Sequence, residues 1–183
     1  LFPYTTLFRS LITAGGLYFY FSRHAQPGSR QIRGAAGQSV DGSVLTGSYD
    51  NFRTNAYLVE STLTPANVKP ESFGKVFTLA LDGAVYAQPL YMQALNVNGE
   101  KHNVVFVATM HNSLYAFDAD TPGLPLWSSN LGPAVATSTY GTPDEPYTDI
   151  QPENGILGTP VIDATSSTIY VVAATLENGA YFY

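Results

Sequence analysis

The sequence predicts an all-β fold built from short antiparallel strands. From about residue 73 its segments are short and rich in Val, Phe, Tyr and Thr, and dipeptides that favour tight turns separate them. The 183 residues include 16 glycines and 12 prolines, and 13% of the residues are aromatic. Charged residues make up 12%, well below the ~25% usual for soluble proteins, which is typical of compact, tightly turned folds.

Four consecutive strands are predicted, at residues 75–81, 84–92, 103–109 and 113–118. Three short segments would connect them: Asp82-Gly83, Asn98-Gly99 and Met110-His111-Asn112. Asp-Gly and Asn-Gly favour the positive φ angles of the type I′ turn, which joins adjacent antiparallel strands. Four strands with three tight connections are the content of one β-propeller blade, so we predict a partial propeller.

A second copy of this pattern follows the first. Gln88-Pro89-Leu90 and the strand at 104–108 recur loosely as Thr159-Pro160-Val161 and a strand at 168–172. Pro160 lies 71 residues after Pro89, which is longer than a bare blade of ~40 to 50 residues. The excess lies in residues 130–155, a Pro-, Thr- and Asp-rich stretch that we interpret as a long loop suited to binding. We therefore predict about two four-stranded blades of a larger ring over residues 47–183.

Several motifs resemble the repeats of pyrroloquinoline quinone (PQQ) propellers. Those repeats close with Ala-x-Asp-x-x-Thr-Gly and a Trp a few residues later. The matching residues here are Ala116, Asp118, Thr121, Gly123 and Trp127, with Pro122 as an insertion. Asn51, Arg53, residues 63–68 and Gln88-Pro89-Leu90-Tyr91 resemble the entry segment of quinoprotein dehydrogenase-like propellers. The resemblance covers residues 47–178.

Four of these residues also have a structural interpretation. Asp118 at a strand end can accept hydrogen bonds from the backbone of the 121–123 turn, and Gly123 can take a positive φ angle. Trp127 can lie flat between neighbouring sheets as a wedge of aromatic area. We therefore expect Asp118, Thr121, Gly123 and Trp127 to hold blades together rather than to contact a cofactor.

The resemblance implies PQQ and calcium as cofactors of the full-length protein. In the dehydrogenases of this family most axial ligands and the catalytic Asp come from later blades, and many have two adjacent cysteines beside the quinone. This sequence has no Cys, and we assign no catalytic or quinone-binding residue to it. We therefore expect this fragment to hold no cofactor and to be inactive by itself.

The acidic segment 149–156 is the candidate metal site. Asp149, Gln151, Glu153 and Asn154 carry the oxygen ligands that suit a hard cation such as calcium. An EF-hand loop is excluded, because the twelfth position counted from Asp149 is Pro160. Two interpretations stay open. Asp149, Glu153 and Asn154 bind calcium, with Glu153 and Asn154 facing an axial pocket, or the segment is an acidic loop that caps the next blade.

Three N-terminal segments are predicted to lie outside the fold. Residues 1–10 resemble the in-frame translation of a common sequencing adapter. Residues 11–25 begin with an apolar run of 11 residues, too short to span a bilayer, which indicates either a truncated signal peptide or a short membrane anchor. Residues 26–46 are a linker rich in Gly, Ser, Gln and Arg. These segments predict an extracytoplasmic protein, periplasmic or secreted.

The charge distribution and the absence of certain motifs reduce the number of functions that the sequence supports. The formal net charge is −6 and no Lys or Arg follows Lys101, so the C-terminal half cannot form a basic face for nucleic acid. The sequence has no Gly-x-Ser-x-Gly elbow and no Walker loop, so acyl-transfer and nucleotide chemistry have no support. We expect a binding or scaffolding propeller whose partner is a small molecule or a protein. The alternative is the N-terminal part of a PQQ- and calcium-dependent quinoprotein dehydrogenase.

Overall fold

A computed structural model describes residues 8–10, 18–21 and 42–183, except Val59, Ser61 and Ser72. The described residues confirm the all-β prediction, since a short 3-10 helix at Thr137–Thr139 is their only helical segment. The strands are β1 (Phe8–Ser10), β2 (Tyr18–Phe21), β3 (Leu90–Val97), β4 (Glu100–Ala108), β5 (Ser113–Asp118), β6 (Trp127–Asn130), β7 (Val135–Ala136), β8 (Glu153–Asn154), β9 (Val161–Asp163), β10 (Thr168–Tyr170), β11 (Thr175–Glu177) and β12 (Ala180–Phe182).

The central sheet is an antiparallel meander in the order β3-β4-β5-β6. Two of the predicted turns are confirmed. Asn98 and Gly99 have φ angles of 55° and 93° between β3 and β4, as a type I′ turn requires, and Asn112 has φ 57° in the turn between β4 and β5. The register shifts between Met92 and Leu95, which marks a bulge in β3.

The prediction of a strand at residues 75–81 is wrong, and Asp82-Gly83 does not join two strands. Gly83 has no positive φ angle, so the type I′ turn does not form there. Met110 N instead donates to Ala84 O at 2.9 Å. The chain after Gly83 therefore runs beside the β4–β5 turn rather than folding back on residues 75–81.

The fourth strand of the sheet is β6, which the sequence did not predict. Three of its four residues are Ser128, Ser129 and Asn130, which lack the β-branched and aromatic character of typical strands. Pairing with β5 places them, in the register Leu114↔Ser129 and Tyr115↔Ser128. A four-stranded meander is thus present, but it is displaced along the chain by one strand. Of the strand predicted at residues 84–92, only Leu90, Tyr91 and Met92 belong to β3, so the prediction is wrong for residues 84–89.

The hydrophobic core joins the central sheet to the second repeat. The side chains of β4 and β5 that belong to the core cluster lie at alternate positions, as the two-residue period of a strand requires: Val104, Phe106, Ala108, Leu114 and Ala116. Val107 and Phe117, on the other face of the sheet, are buried as well. Ile162 and Ile169 of the antiparallel pair β9–β10 belong to the same cluster, as does Ile156. β10 covers the first three residues of the strand predicted at 168–172.

The N-terminal strands extend the β9–β10 pair. β2 pairs with β10 in parallel and β1 pairs with β2, which gives the order β1-β2-β10-β9. The sequence predicted neither strand, because residues 1–10 and 11–25 were assigned to segments outside the fold. Most of residues 1–41 lie outside the described part of the chain, so the adapter and signal assignments stay predictions. Residues 42–46 of the predicted linker are described, and Val44 and Leu45 form backbone hydrogen bonds with Tyr91 and Ile162. In the described part, no helix has the length and apolar character needed to cross a membrane.

Candidate functional site

The candidate site lies at the turn between β4 and β5. Thr109 N donates to Ser113 O at 2.9 Å and Asn112 N donates to Thr109 O at 3.2 Å, which closes the turn. His111 lies at its tip with half of its side chain exposed. Asn130 Nδ2 donates to His111 O at 2.8 Å, so β6 fixes the turn from the other side.

Glu153 on β8 reaches His111 from 42 residues away in the sequence. His111 Nδ1 lies 2.9 Å from Oε1 and 3.1 Å from Oε2 of Glu153. This hydrogen bond and the charge of Glu153 raise the pKa of His111 above its ordinary value, and the charge of Asp82 adds to the effect while burial opposes it. The imidazolium form is therefore favoured, and Nε2 has no partner among the described residues.

The carboxylate of Asp82 accepts hydrogen bonds from residues at both ends of the same turn. Thr109 Oγ1 donates to Oδ1 at 2.9 Å, and Ser113 Oγ donates to Oδ2. Burial by itself would raise the pKa of Asp82, but hydrogen bonds from Ser113, Thr109 and Tyr115 outweigh it and the pKa is lowered. Asp82 is thus a carboxylate near neutral pH, on the same turn that carries His111.

His111 therefore lies in the field of two carboxylates, Asp82 and Glu153. An imidazole in this setting can accept or donate a proton near neutral pH, and it can bind a hydrogen-bonding ligand through Nε2. In the part of the chain that the structure describes, no group of three or more His, Cys, Asp or Glu side chains is arranged to hold a metal ion. We name Asp82, His111 and Glu153 the acid–base cluster.

We expect the contact between His111 and Glu153 to weaken as the pH rises. The folded-state pKa of His111 is raised, so the contact stabilises the fold fully below about pH 6.5, the ordinary value, and is lost as the pH rises through the folded pKa. An NMR titration of the His111 ring should give a pKa above the ordinary value. Glu153→Gln should move it back, whereas Glu145→Gln should not. Identical titrations in the wild type and Glu153→Gln would contradict this assignment.

The predicted calcium ligands do not meet at one point in this structure. Glu153 and Asn154 are adjacent on β8, so their side chains leave the strand on opposite sides. Glu153 faces His111, while Asn154 Nδ2 donates to Tyr140 Oη at 3.3 Å. Asp149 is exposed in a bend before β8. Glu153 and Asn154 thus direct their side chains apart in this arrangement, and calcium binding at Asp149, Glu153 and Asn154 stays a prediction.

The blade-motif residues take the predicted positions in part. Asp118 Oδ1 accepts hydrogen bonds from Asp120 N and Thr121 N, both at 2.8 Å, as expected. A hydrogen bond to His102, at 2.7 Å between Nδ1 and Oδ2, is the main cause of the lowered pKa of Asp118, and these backbone bonds add to it. The expectation for Gly123 is wrong, because it has no positive φ angle and lies beyond the turn that Asp118 closes.

Trp127 contributes aromatic area to the core. It pairs with Ala116 in the sheet, is half-buried, and packs against the hydrophobic core. Its ring centroid lies 5.9 Å from that of Phe106, with the planes inclined by 53°. This tilted geometry is favourable for two aromatic rings, and the flat position between neighbouring sheets stays a prediction.

Sequence reasoning missed the acid–base cluster. The sequence predicts a turn at His111 and a hairpin dipeptide at Asp82, and for Glu153 either a calcium ligand or part of a capping loop, but no contact among the three. One signal was available, since Thr109 and Ser113 carry hydroxyl groups on both sides of the predicted Met110-His111-Asn112 turn and need an acceptor. The pairing of β7 with β8, which positions Glu153, left no local pattern in the sequence.

Comparison of the chain with models of protein families, with curated proteins and with solved structures finds no match in any of the three.

Proposed function

We propose that the chain is part of an exported, PQQ-repeat-like β-propeller with a binding or scaffolding role. The sequential antiparallel meander β3-β4-β5-β6 supports this, because a propeller blade has the same strand order. The turn at Asp118, with Trp127 on the strand that follows it, supports the resemblance to the PQQ repeat.

The proposal depends above all on the contact between the two repeats. Gln88 and Thr159, the equivalent positions of the two copies, are neighbours, since Gln88 N donates to Thr159 Oγ1 at 3.0 Å. Residues 44 and 45 run between the repeats. Val44 pairs with Tyr91 on β3, and Leu45 O accepts a hydrogen bond from Ile162 N on β9 at 2.8 Å. Adjacent blades of a ring are expected to contact each other in this way.

The binding role rests on where the polar side chains lie. The acid–base cluster is at one end of the meander, on a turn and on the short strand β8, and not inside the core. Loops on a rigid sheet scaffold are the usual place for binding residues. His111 is half exposed there and its Nε2 is available for a ligand.

The alternative is the quinoprotein dehydrogenase, and the acidic segment 149–156 favours it. The two functions are distinguished by adding PQQ and calcium to the intact-length protein and measuring quinone absorbance and dye-linked alcohol oxidation. We expect no retained quinone and no turnover. Turnover would overturn the binding role. Calcium uptake measured by calorimetry, and abolished by Glu153→Gln, would show that the acidic segment binds the ion.

A further inference from the structure

Three tyrosines form a surface cluster beside the acid–base cluster. Tyr140 lies with its ring centroid 5.4 Å from that of Tyr147, at 84°, and 5.4 Å from that of Tyr181, at 48°. The bridge between Gly141 and Pro146 explains the first pair, because it brings the residues on either side of it together. Tyr181 comes from β12, 41 residues after Tyr140. We call Tyr140, Tyr147 and Tyr181 the tyrosine cluster.

The hydroxyl groups of two of these tyrosines are already used within the protein. Tyr181 Oη donates to Thr139 O at 3.0 Å, and Tyr140 Oη accepts from Asn154 Nδ2 at 3.3 Å. Burial raises the pKa of Tyr140, so its phenol is neutral under physiological conditions. Tyr140 and Tyr147 are half-buried, whereas Tyr181 is 43% exposed. The part of the cluster that remains for a ligand is therefore mainly ring surface.

The surroundings of the cluster are acidic. Asp144 and Glu145 lie in the short loop that the Gly141–Pro146 bridge closes, next to Tyr140 and Tyr147. No Lys or Arg follows Lys101 in the sequence, so no basic side chain from this half of the chain offsets them. Asn154 Oδ1, on the amide that contacts Tyr140, is buried and has no hydrogen-bond partner among the described residues. The two carboxylates attract positive charge and disfavour an anion, whereas the buried Asn154 Oδ1 has no surface that a ligand could reach.

We propose that the tyrosine cluster binds an organic cation with apolar substituents, of the quaternary ammonium class. The negative faces of tyrosine rings attract such a cation, and its methyl groups displace water from the rings. A sugar would need hydrogen-bonding groups directed at it, whereas the hydroxyls of Tyr140 and Tyr181 are held by the protein. A metal ion would need several carboxylates, and none converge here. This inference rests on the proposed binding role and names its ligand class.

Binding of choline to the full 183-residue chain tests the proposal, with 3,3-dimethylbutan-1-ol as the neutral analogue of the same shape. Choline should shift the NMR signals of the tyrosine rings saturably. The neutral analogue should bind about tenfold more weakly, because it lacks the charge that the rings attract. Equal binding of the two compounds, or no saturable shift with choline, would overturn the proposal.

Two variants of Tyr147 distinguish the contribution of its aromatic ring to choline affinity from that of its hydroxyl group. Tyr147→Phe keeps the aromatic face and should bind choline within about threefold of the wild type, while Tyr147→Leu should lose about tenfold in affinity. Tyr86→Leu is the matched control, since Tyr86 is 52% exposed and belongs to no ring pair of the cluster. Equal choline affinity of Tyr147→Leu and Tyr86→Leu would contradict the assignment of choline binding to the tyrosine cluster. Turnover with PQQ would overturn the binding role instead and would leave the choline result unchanged.

Discussion

Gly155→Ala is expected to lower the free energy of unfolding by about 3 kcal/mol. A Cβ atom at this position would lie 2.2 Å from Met110 O, 2.6 Å from Asn112 Oδ1 and 2.8 Å from the Met110 carbonyl carbon. Two of these atoms belong to the backbone, which cannot move aside as the end of a flexible side chain can. The β4–β5 turn would have to shift, and the bonds Ile156 N to Thr109 O and Ala174 N to Gly155 O would lengthen from 3.3 and 3.2 Å.

Gly158→Ala is the matched control for this substitution. It lies three residues further on, no atom would come within 4 Å of its Cβ, and its φ angle is not positive. The change in its unfolding free energy should stay within about 0.5 kcal/mol. Urea unfolding can be followed by the fluorescence of Trp127, the single tryptophan of the chain. If the two variants unfold at the same urea concentration, the packing of Gly155 against Met110 is not what stabilises this part of the fold.

The central sheet could be predicted from the sequence where local chemistry determines it. β4 and β5 contain continuous apolar runs at 104–108 and 114–117 that are rich in Val, Phe and Tyr, and turn residues lie between them. Residues 75–81 show why such patterns are not sufficient. They are rich in strand-forming residues, but no strand in the described part of the chain pairs with them, and Val76 is 88% exposed. A strand needs a partner, and the local sequence does not specify one.

The candidate sites could not be predicted, because contacts between distant residues create them. Asp82 and Ser113 are 31 residues apart, and His111 and Glu153 are 42 apart. The two-residue strand β8 determines both sites, since it directs Glu153 to one side and Asn154 to the other. The sequence places these two side chains next to each other in a single acidic segment, and the strand geometry separates them.

Asn112→Ala is expected to lower the free energy of unfolding by about 3 kcal/mol. Two contributions add up: the loss of a buried hydrogen bond and the cost of placing alanine at a positive φ angle. Asn112 is fully buried, and its Nδ2 donates to Ala174 O at 2.8 Å, which joins the β4–β5 turn to the second repeat. Alanine would leave that carbonyl oxygen buried without its donor. Alanine is also less favourable than asparagine at φ 57°. The loss of Asn112 Oδ1, which is buried without a partner, offsets part of this cost.

Asn98→Ala measures the backbone contribution alone. Asn98 has φ 55° in the turn between β3 and β4, but its side chain is exposed, whereas that of Asn112 is buried. It should therefore cost only the backbone part, about 1 kcal/mol. The remaining difference of about 2 kcal/mol is then due to the buried hydrogen bond between the repeats. Equal unfolding free energies for the two variants would mean that the bond from Asn112 to Ala174 does not stabilise the contact between the repeats, which would then depend on the core around Ile156, Ile162 and Ile169 and on the bonds of Gln88 and Leu45.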